Sequence, residues 1–152
     1  MSNICILLGF EPRKSRGDIE EYFKAQTDNY KIGLFIGESN IVDNCVKDNT
    51  FVCSFADDNE YDNCEMLLLP DNCSHNGYEN LIPFKTRMGV LSSIIECASE
   101  FFDHIELFIG DAGANTIEEF EPRSVNLKDL SEFLSNNLND YNFPAYHLIL
   151  ES

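Results

Sequence analysis

Carboxylates crowd one stretch of the chain, FADDNEYDNCEMLLL, and no lysine or arginine stands among them. Its five acids fall within nine positions: Asp57, Asp58, Glu60, Asp62 and Glu65. Such a cluster suits three kinds of chemistry, namely binding of a hard cation, acid–base catalysis, or contact with a positively charged partner. Each kind makes further demands on the surrounding residues.

The demands of metal binding and catalysis are not met in this stretch. Counted from Asp58, a calcium loop of the EF-hand type needs glycine at its bend and a bidentate glutamate at its end, where this chain has Asn63 and Leu69. An acid–base pair needs one desolvated and one solvated carboxyl group, whereas acids at a polar tip share one environment. We therefore expect no metal, no cofactor and no catalytic residue, and a protein that is not an enzyme.

A glycine-containing segment, LFIGDAGAN, follows a predicted strand from Leu107 onward. It fits neither phosphate-loop pattern, because Ala114 and Asn115 follow its second glycine and no lysine occurs. Glu118, Glu119 and Glu121 come next and would repel a phosphate. We interpret the segment as a turn at the end of a strand.

The charge of the whole chain favours the third kind of chemistry. Its 27 acidic and 10 basic side chains give a net charge of −17, and no basic residue stands between Lys47 and Lys85. A field of one sign repels nucleic-acid phosphates and anionic lipids. We therefore expect a basic protein partner, with no direct contact to nucleic acid and no membrane association.

The fold class follows from the length and the apolar pattern. A chain of 152 residues with 43% hydrophobic content predicts a single domain, residues 1–152, with a substantial core. We predict an α/β (mixed α+β) fold with a single central mixed sheet of about six strands and about three packed helices. The predicted strands are Ile4–Leu8, Tyr30–Gly37, Phe51–Phe55, Met66–Leu69, Ile105–Ile109 and Tyr146–Leu150.

The predicted helices connect these strands. Asp18 and Glu21 resemble a capping box, so the first helix should begin there and join two parallel strands as a β-α-β unit. The longest helix should run from about Thr86 to Phe102, and Asn126 should cap the last one. Phe51–Phe55 and Met66–Leu69 should form a hairpin that carries the acidic stretch at its tip.

Cysteine usage predicts the compartment. The chain has six cysteines, no CxxC pair, and no secretory signal at its start, so we expect a cytoplasmic location with free thiols. Cys5, Cys53 and Cys97 stand in predicted strands and a predicted helix, where a thiol is usually a small core residue.

In length, acidity and α/β composition, the whole chain resembles the bacterial immunity proteins that neutralise polymorphic toxins, including those of contact-dependent growth inhibition systems. That resemblance implies a cytoplasmic protein that binds the C-terminal domain of a toxin one-to-one and covers its active site, and the expected toxin domain is a basic nuclease. Tyr61 would supply an aromatic anchor within the acidic stretch. We predict that the partner is bound by Asp57, Asp58, Glu60, Tyr61, Asp62 and Glu65, with Glu118, Glu119 and Glu121 as a second patch.

Two alternatives remain open from the sequence. One is a small enzyme or ligand-binding domain with a pocket at the carboxyl ends of the strands, around Gly9–Glu11, Gly37–Ser39 and Gly110–Asn115. His75 beside Cys73 would be its most enzyme-like pair. The other is a mimic of nucleic acid, whose carboxylates would have to be spaced like phosphates.

Overall fold

A computed structural model describes residues 3–30, 33–36, 50–56, 84–111, 121–138 and 144–152. The main elements, in chain order, are β1 (Asn3–Pro12), α1 (Arg16–Tyr30), β2 (Gly33–Ile36), β3 (Phe51–Ala56), α2 (Phe84–Ala98), β4 (Phe102–Asp111), β5 (Pro122–Asn126), α3 (Leu130–Asn137) and β6 (Tyr146–Glu151). Single turns of 3-10 helix at Ser99–Phe101 and Leu127–Asp129 precede β4 and α3.

The strands form one mixed sheet in the order β2-β3-β1-β4-β6-β5. The longest pairing joins β1 and β4 antiparallel, from Asn3 opposite Asp111 to Pro12 opposite Phe102. Within the described residues, β5 and β6 are the only parallel neighbours. The predicted mixed α+β class, with a single mixed sheet and three helices, is confirmed.

The two strands of the first β-α-β unit are parallel as predicted, but they are not neighbours in the sheet. Strands β1 and β2 do not pair, because β3 lies between them and is antiparallel to both. They therefore run in the same direction with one strand separating them. The predicted partner of β3 in a hairpin, Met66–Leu69, lies outside the described residues, and β5 was not predicted as a strand.

One face of the sheet packs against the helices. Alternate residues of the two central strands, among them Cys5, Leu7, Leu107 and Ile109, are fully buried in a cluster with residues of all three helices. Burial of this apolar surface is the main favourable contribution to folding. The helix residues of the cluster are Ile19, Phe23, Met88, Leu91, Ile94, Ile95, Ala98, Leu130 and Leu134.

Hydrogen bonds at the N-termini of the helices show which residues cap them. The backbone N–H of Asp18 donates to Ser15 Oγ at 3.1 Å, so α1 is capped by Ser15, and the prediction of a cap at Asp18 was wrong. The reason is that a cap precedes the first turn, where an acid such as Asp18 lies favourably near the helix N-terminus. The cap at Asn126 is confirmed, because its side chain accepts from the backbone N–H of Lys128 at 3.2 Å.

Two further expectations concern burial. Cys5 is buried as predicted, whereas Cys97 is exposed because it lies with the exposed Ser93, four residues earlier, on the outer side of α2. The side chain of Cys53 lies outside the described part of the chain. None of the described helices is long and apolar enough to cross a membrane.

Candidate functional site

The predicted contact surface falls mostly outside the described residues. Its only described member is Glu121, which is exposed and immediately precedes β5. The enzyme-like pair His75 and Cys73 also lies outside them. The remaining members of the predicted surface, none of which is described, are Asp57, Asp58, Glu60, Tyr61, Asp62, Glu65, Glu118 and Glu119.

The strand that follows Glu121, β5, lines an open groove of about 440 Å³ together with α3. Among the described residues, β5 is the last strand of the sheet on this side. The residues Arg123, Ser124, Val125 and Asn126 line the groove along the strand, and polar residues of the opposite wall include Glu132. Sequence reasoning missed this groove because it did not predict β5.

The charge that this groove presents depends on the position of the Arg123 side chain. The guanidinium carbon of Arg123 lies 5.6 Å from the ring centre of Phe133 and 5.9 Å from that of Tyr146, which are cation–π distances. Asp129 and Glu132 are exposed and form no ion pair with a described residue. The groove therefore presents two carboxylates while its cation rests on aromatic rings.

The same imbalance extends over the rest of the described surface. Arg13 pairs with Asp103 at 2.5 Å and Arg16 with Glu20 at 2.9 Å, so these cations are occupied by the protein itself. Four exposed lysines, Lys14, Lys24, Lys85 and Lys128, form no ion pair with a described residue. Nine exposed carboxylates are likewise unpaired in that part of the chain: Glu11, Asp18, Glu21, Glu96, Glu100, Glu121, Asp129, Glu132 and Glu151.

A second polar cluster lies on the sheet face opposite the helices. Glu106, in the middle of β4, accepts a hydrogen bond from Nε2 of His104 at 2.8 Å and another from Nε2 of His147 on β6. The ring of His147 stacks on Phe108 with 4.2 Å between ring centres. His147 and Glu106 are mostly buried, whereas His104 is exposed and lies against the ring of Phe10.

Hydrogen bonding determines the charge of this cluster. The bond from His147 is the main reason that the pKa of Glu106 lies below its ordinary value, and the bond from His104 acts in the same direction against the effect of burial. Glu106 is therefore ionised at neutral pH and can only accept. Each imidazole must accordingly carry a proton on Nε2, which fixes the orientation of both rings.

The cluster has part of a catalytic arrangement, but no nucleophile of the described residues belongs to it. A carboxylate that orients a histidine is the supporting half of such an arrangement. Within the described residues, no hydroxyl or thiol forms a hydrogen bond with His104 or His147. The same residues contain no group of three or more histidine, cysteine or carboxylate side chains that would hold a metal ion. The contacts support a structural role for the cluster.

Removing the charge of Glu106 tests that role. We expect Glu106→Gln to lower the free energy of unfolding at pH 7 by about 1–3 kcal/mol. The carboxylate accepts one hydrogen bond at each of its two charged oxygens, whereas the amide has a single, neutral acceptor oxygen. Since folding lowers the pKa of Glu106, its stabilisation is full above the ordinary value of 4.5 and is lost as the pH falls through the lower folded value. Urea unfolding at pH 7 and pH 3 should therefore show a smaller pH dependence in the variant.

The control for this experiment is Glu21→Gln, at an exposed position of α1. It should leave the free energy of unfolding within about 0.5 kcal/mol of the parent. An unchanged pH dependence in Glu106→Gln would show that this carboxylate does not stabilise the fold in the way described.

The alternative pocket at the strand ends is not formed as predicted. Strands β1 and β4 are antiparallel, so Gly9 lies opposite Ile105 whereas Gly110 lies opposite Ile4, at the other end of the sheet. Both glycines are also covered by the protein itself. A Cβ at Gly9 would lie 2.3 Å from the Phe102 ring, and one at Gly110 would lie 2.4 Å from the Pro144 carbonyl oxygen. The regions 37–39 and 112–115 of this predicted pocket lie outside the described residues.

Comparison of the chain with protein-family models, with curated protein sequences and with solved structures gives no significant match.

Proposed function

We propose that this protein is an acidic cytoplasmic immunity protein that binds a basic toxin domain, a nuclease, one-to-one and covers its active site. The supporting observation is the imbalance of exposed charge. Nine exposed carboxylates are unpaired in the described part of the chain, against four lysines, because the arginines Arg13, Arg16 and Arg123 contact the protein's own side chains.

The undescribed residues increase this imbalance. They contain thirteen of the 27 acidic side chains but only two of the ten basic ones, Lys31 and Lys47. Self-repulsion among like charges destabilises a compact protein. A cationic partner would relieve that repulsion and would be attracted over long range, which can raise association rates by about 10- to 1000-fold.

A nuclease cleft is the partner surface that best fits such a field. Clefts that hold phosphates are lined by lysine and arginine, and a folded acidic surface can occupy them in place of the substrate. Glu121 belongs to the second predicted patch, is exposed, and immediately precedes β5, the strand that lines the groove with Asp129 and Glu132. Its exposure at the start of that strand supports the second patch as part of the contact surface.

Co-expression with the product of the adjacent reading frame tests the proposal. We expect a one-to-one complex on affinity purification, nanomolar affinity by titration calorimetry, weaker binding at moderate than at low salt, and loss of the neighbour's toxicity. A neighbour that is toxic but forms no complex at either salt concentration would contradict the immunity role.

Charge reversal at Asp58, Glu60 and Asp62 tests the first predicted patch. The triple lysine variant should associate with the toxin domain at least about tenfold more slowly, because it removes the local field that orients the encounter, and it should fold normally. Stopped-flow association kinetics and thermal unfolding provide the measurements.

The matched control reverses three exposed carboxylates on the helices, Asp18, Glu21 and Glu96, to lysine. It changes the net charge by the same amount, but at positions outside the predicted contact surface. Equal slowing in the two triple variants would mean that only the total charge matters, and normal association of the first variant would exclude that patch as the contact surface.

A further inference from the structure

We propose that the edge of β5 that pairs with no described strand binds an extended segment of the basic partner as an added strand, with lysine or arginine side chains of that segment facing Asp129 and Glu132. The inference rests on the proposed function for the nature of the partner. It adds the place and the mode of binding.

The first observation is the position and exposure of β5. It ends the sheet and pairs on one side only, with β6, among the described residues. Its first three residues, Pro122, Arg123 and Ser124, are exposed, and only Val125 is buried. An edge strand of this kind leaves backbone N–H and C=O groups that an extended peptide can pair with.

The second observation is the course of the groove. Successive side chains of a strand point to opposite faces, so Arg123 and Val125 lie on one face of the sheet and Ser124 and Asn126 on the other. All four residues line the same groove. Because the groove contacts four consecutive residues of β5, it follows the length of this strand, which is the direction that an added strand would take.

The third observation is the charge of the opposite wall. Asp129 and Glu132 both line the groove, and neither is paired with a described residue. Asp129 precedes α3, but its side chain makes no capping hydrogen bond, so the helix N-terminus does not occupy its carboxylate. The cation of the groove, Arg123, is held over Phe133 and Tyr146. A basic segment therefore complements this groove better than a neutral or acidic one.

The residues of β5 also permit pairing. Proteins protect free edges with proline, lysine or a bulge. Here proline occupies only the first position, Pro122, where it is tolerated in edge strands, and the exposed Ser124 is short and uncharged. The edge is therefore short enough to limit indiscriminate pairing and open enough to accept one segment.

A synthetic peptide provides the probe: alternating lysine and valine over about eight residues, acetylated and amidated at its ends, which spans a strand of ordinary length. We expect its addition to shift the amide resonances of residues 123–126 most strongly. A second peptide with the same side chains, N-methylated at every other residue, keeps the charge but loses the donors on one edge. It should bind at least tenfold more weakly.

Two variants test the contribution of charge. Asp129→Asn combined with Glu132→Gln should weaken binding of the unmethylated peptide at least tenfold at low salt. The control combines Glu96→Gln with Glu100→Gln, at exposed positions of α2 and the following turn, and should leave the affinity unchanged. Equal affinity for the two peptides, or shifts centred away from β5, would overturn the added-strand model.

Failure of the binding mode at β5 can be distinguished from failure of the immunity role. If the toxin domain forms a complex whose affinity is unaffected by the Asp129 and Glu132 substitutions, the binding mode at β5 is wrong while the immunity role stands. If the peptide adds to β5 while the toxic neighbour forms no complex, the edge site stands and the immunity role fails.

Discussion

Replacement of Gly110 by alanine should prevent stable folding, or lower the free energy of unfolding by about 3–5 kcal/mol. Gly110 has φ +124°, which side-chain-bearing residues rarely adopt. Its added Cβ would also lie 2.4 Å from the Pro144 carbonyl oxygen and 2.7 Å from the Cα of Ala145. Because the clash is with backbone, no side-chain rotation relieves it.

The measurement is urea unfolding followed by circular dichroism, or the yield of folded protein if the variant does not accumulate. Gly89→Ala is the matched control, since Gly89 lies inside α2 and the nearest described atom outside that helix, Ser131 Oγ, would lie 3.9 Å from its added Cβ, an ordinary van der Waals distance. It should stabilise the protein by about 0.5–1 kcal/mol through the better helix propensity of alanine. A Gly110→Ala variant as stable as the parent would show that β4 and the segment before β6 do not approach as described.

Gly9→Ala should be the second most damaging substitution, with a loss of about 1–3 kcal/mol. Gly9 lies on the helix-facing side of β1, where its added Cβ would lie 2.3 Å from the Phe102 ring. Phe102 is 2% exposed and packs against Phe51, which in turn stacks on Phe23 with 5.8 Å between ring centres. The ring therefore has little room to move, and the strain is spread over the aromatic cluster.

A double-mutant cycle shows whether the Phe102 ring is the cause. Phe102→Leu alone should destabilise by removing buried aromatic volume. In its presence, Gly9→Ala should cost less than in the parent, with a coupling of about 0.5–3 kcal/mol between the two sites. Additive effects of the two substitutions would assign the cost of Gly9→Ala to some contact other than the Phe102 ring.

The two glycines also explain why the strand-end pocket was predicted wrongly. A glycine at the end of an apolar run is compatible with a ligand site or with close approach of the protein's own atoms. At Gly9 the approaching group is the Phe102 ring, and at Gly110 it is the backbone of Pro144 and Ala145. The sequence shows only that a side chain is missing, whereas the packing shows what takes its place.

Local elements were predicted well where one periodicity dominates. The apolar positions of α2 recur at helical spacing, and Met88, Leu91 and Ile95 are fully buried as that spacing requires. Strand β5 was missed because its residues, PRSVN, are mostly polar and include a proline. Such an edge strand has little burial to impose an alternating pattern, so its pairing with β6 decides its conformation.

The polar cluster on β4 illustrates the same limit. His104 and Glu106 are two residues apart, so a strand places them on one face, and this much is visible in the sequence. His147 stands 41 residues further along the chain and reaches Glu106 only because β6 pairs with β4. No local pattern marks that contact.

By itself, the sequence determined the acidity, the single mixed sheet and most of the helices, because net charge is a sum over residues and secondary structure follows short-range periodicity. Only the tertiary structure decided that β3 separates β1 from β2, that Phe102 fills the space at Gly9, and that Glu106 lies between two imidazoles. It also decided that β5 is the outermost described strand beside β6 and that it lines a groove with two carboxylates. These features depend on which distant segments pair, and the free energy that selects the pairing is shared over the whole core.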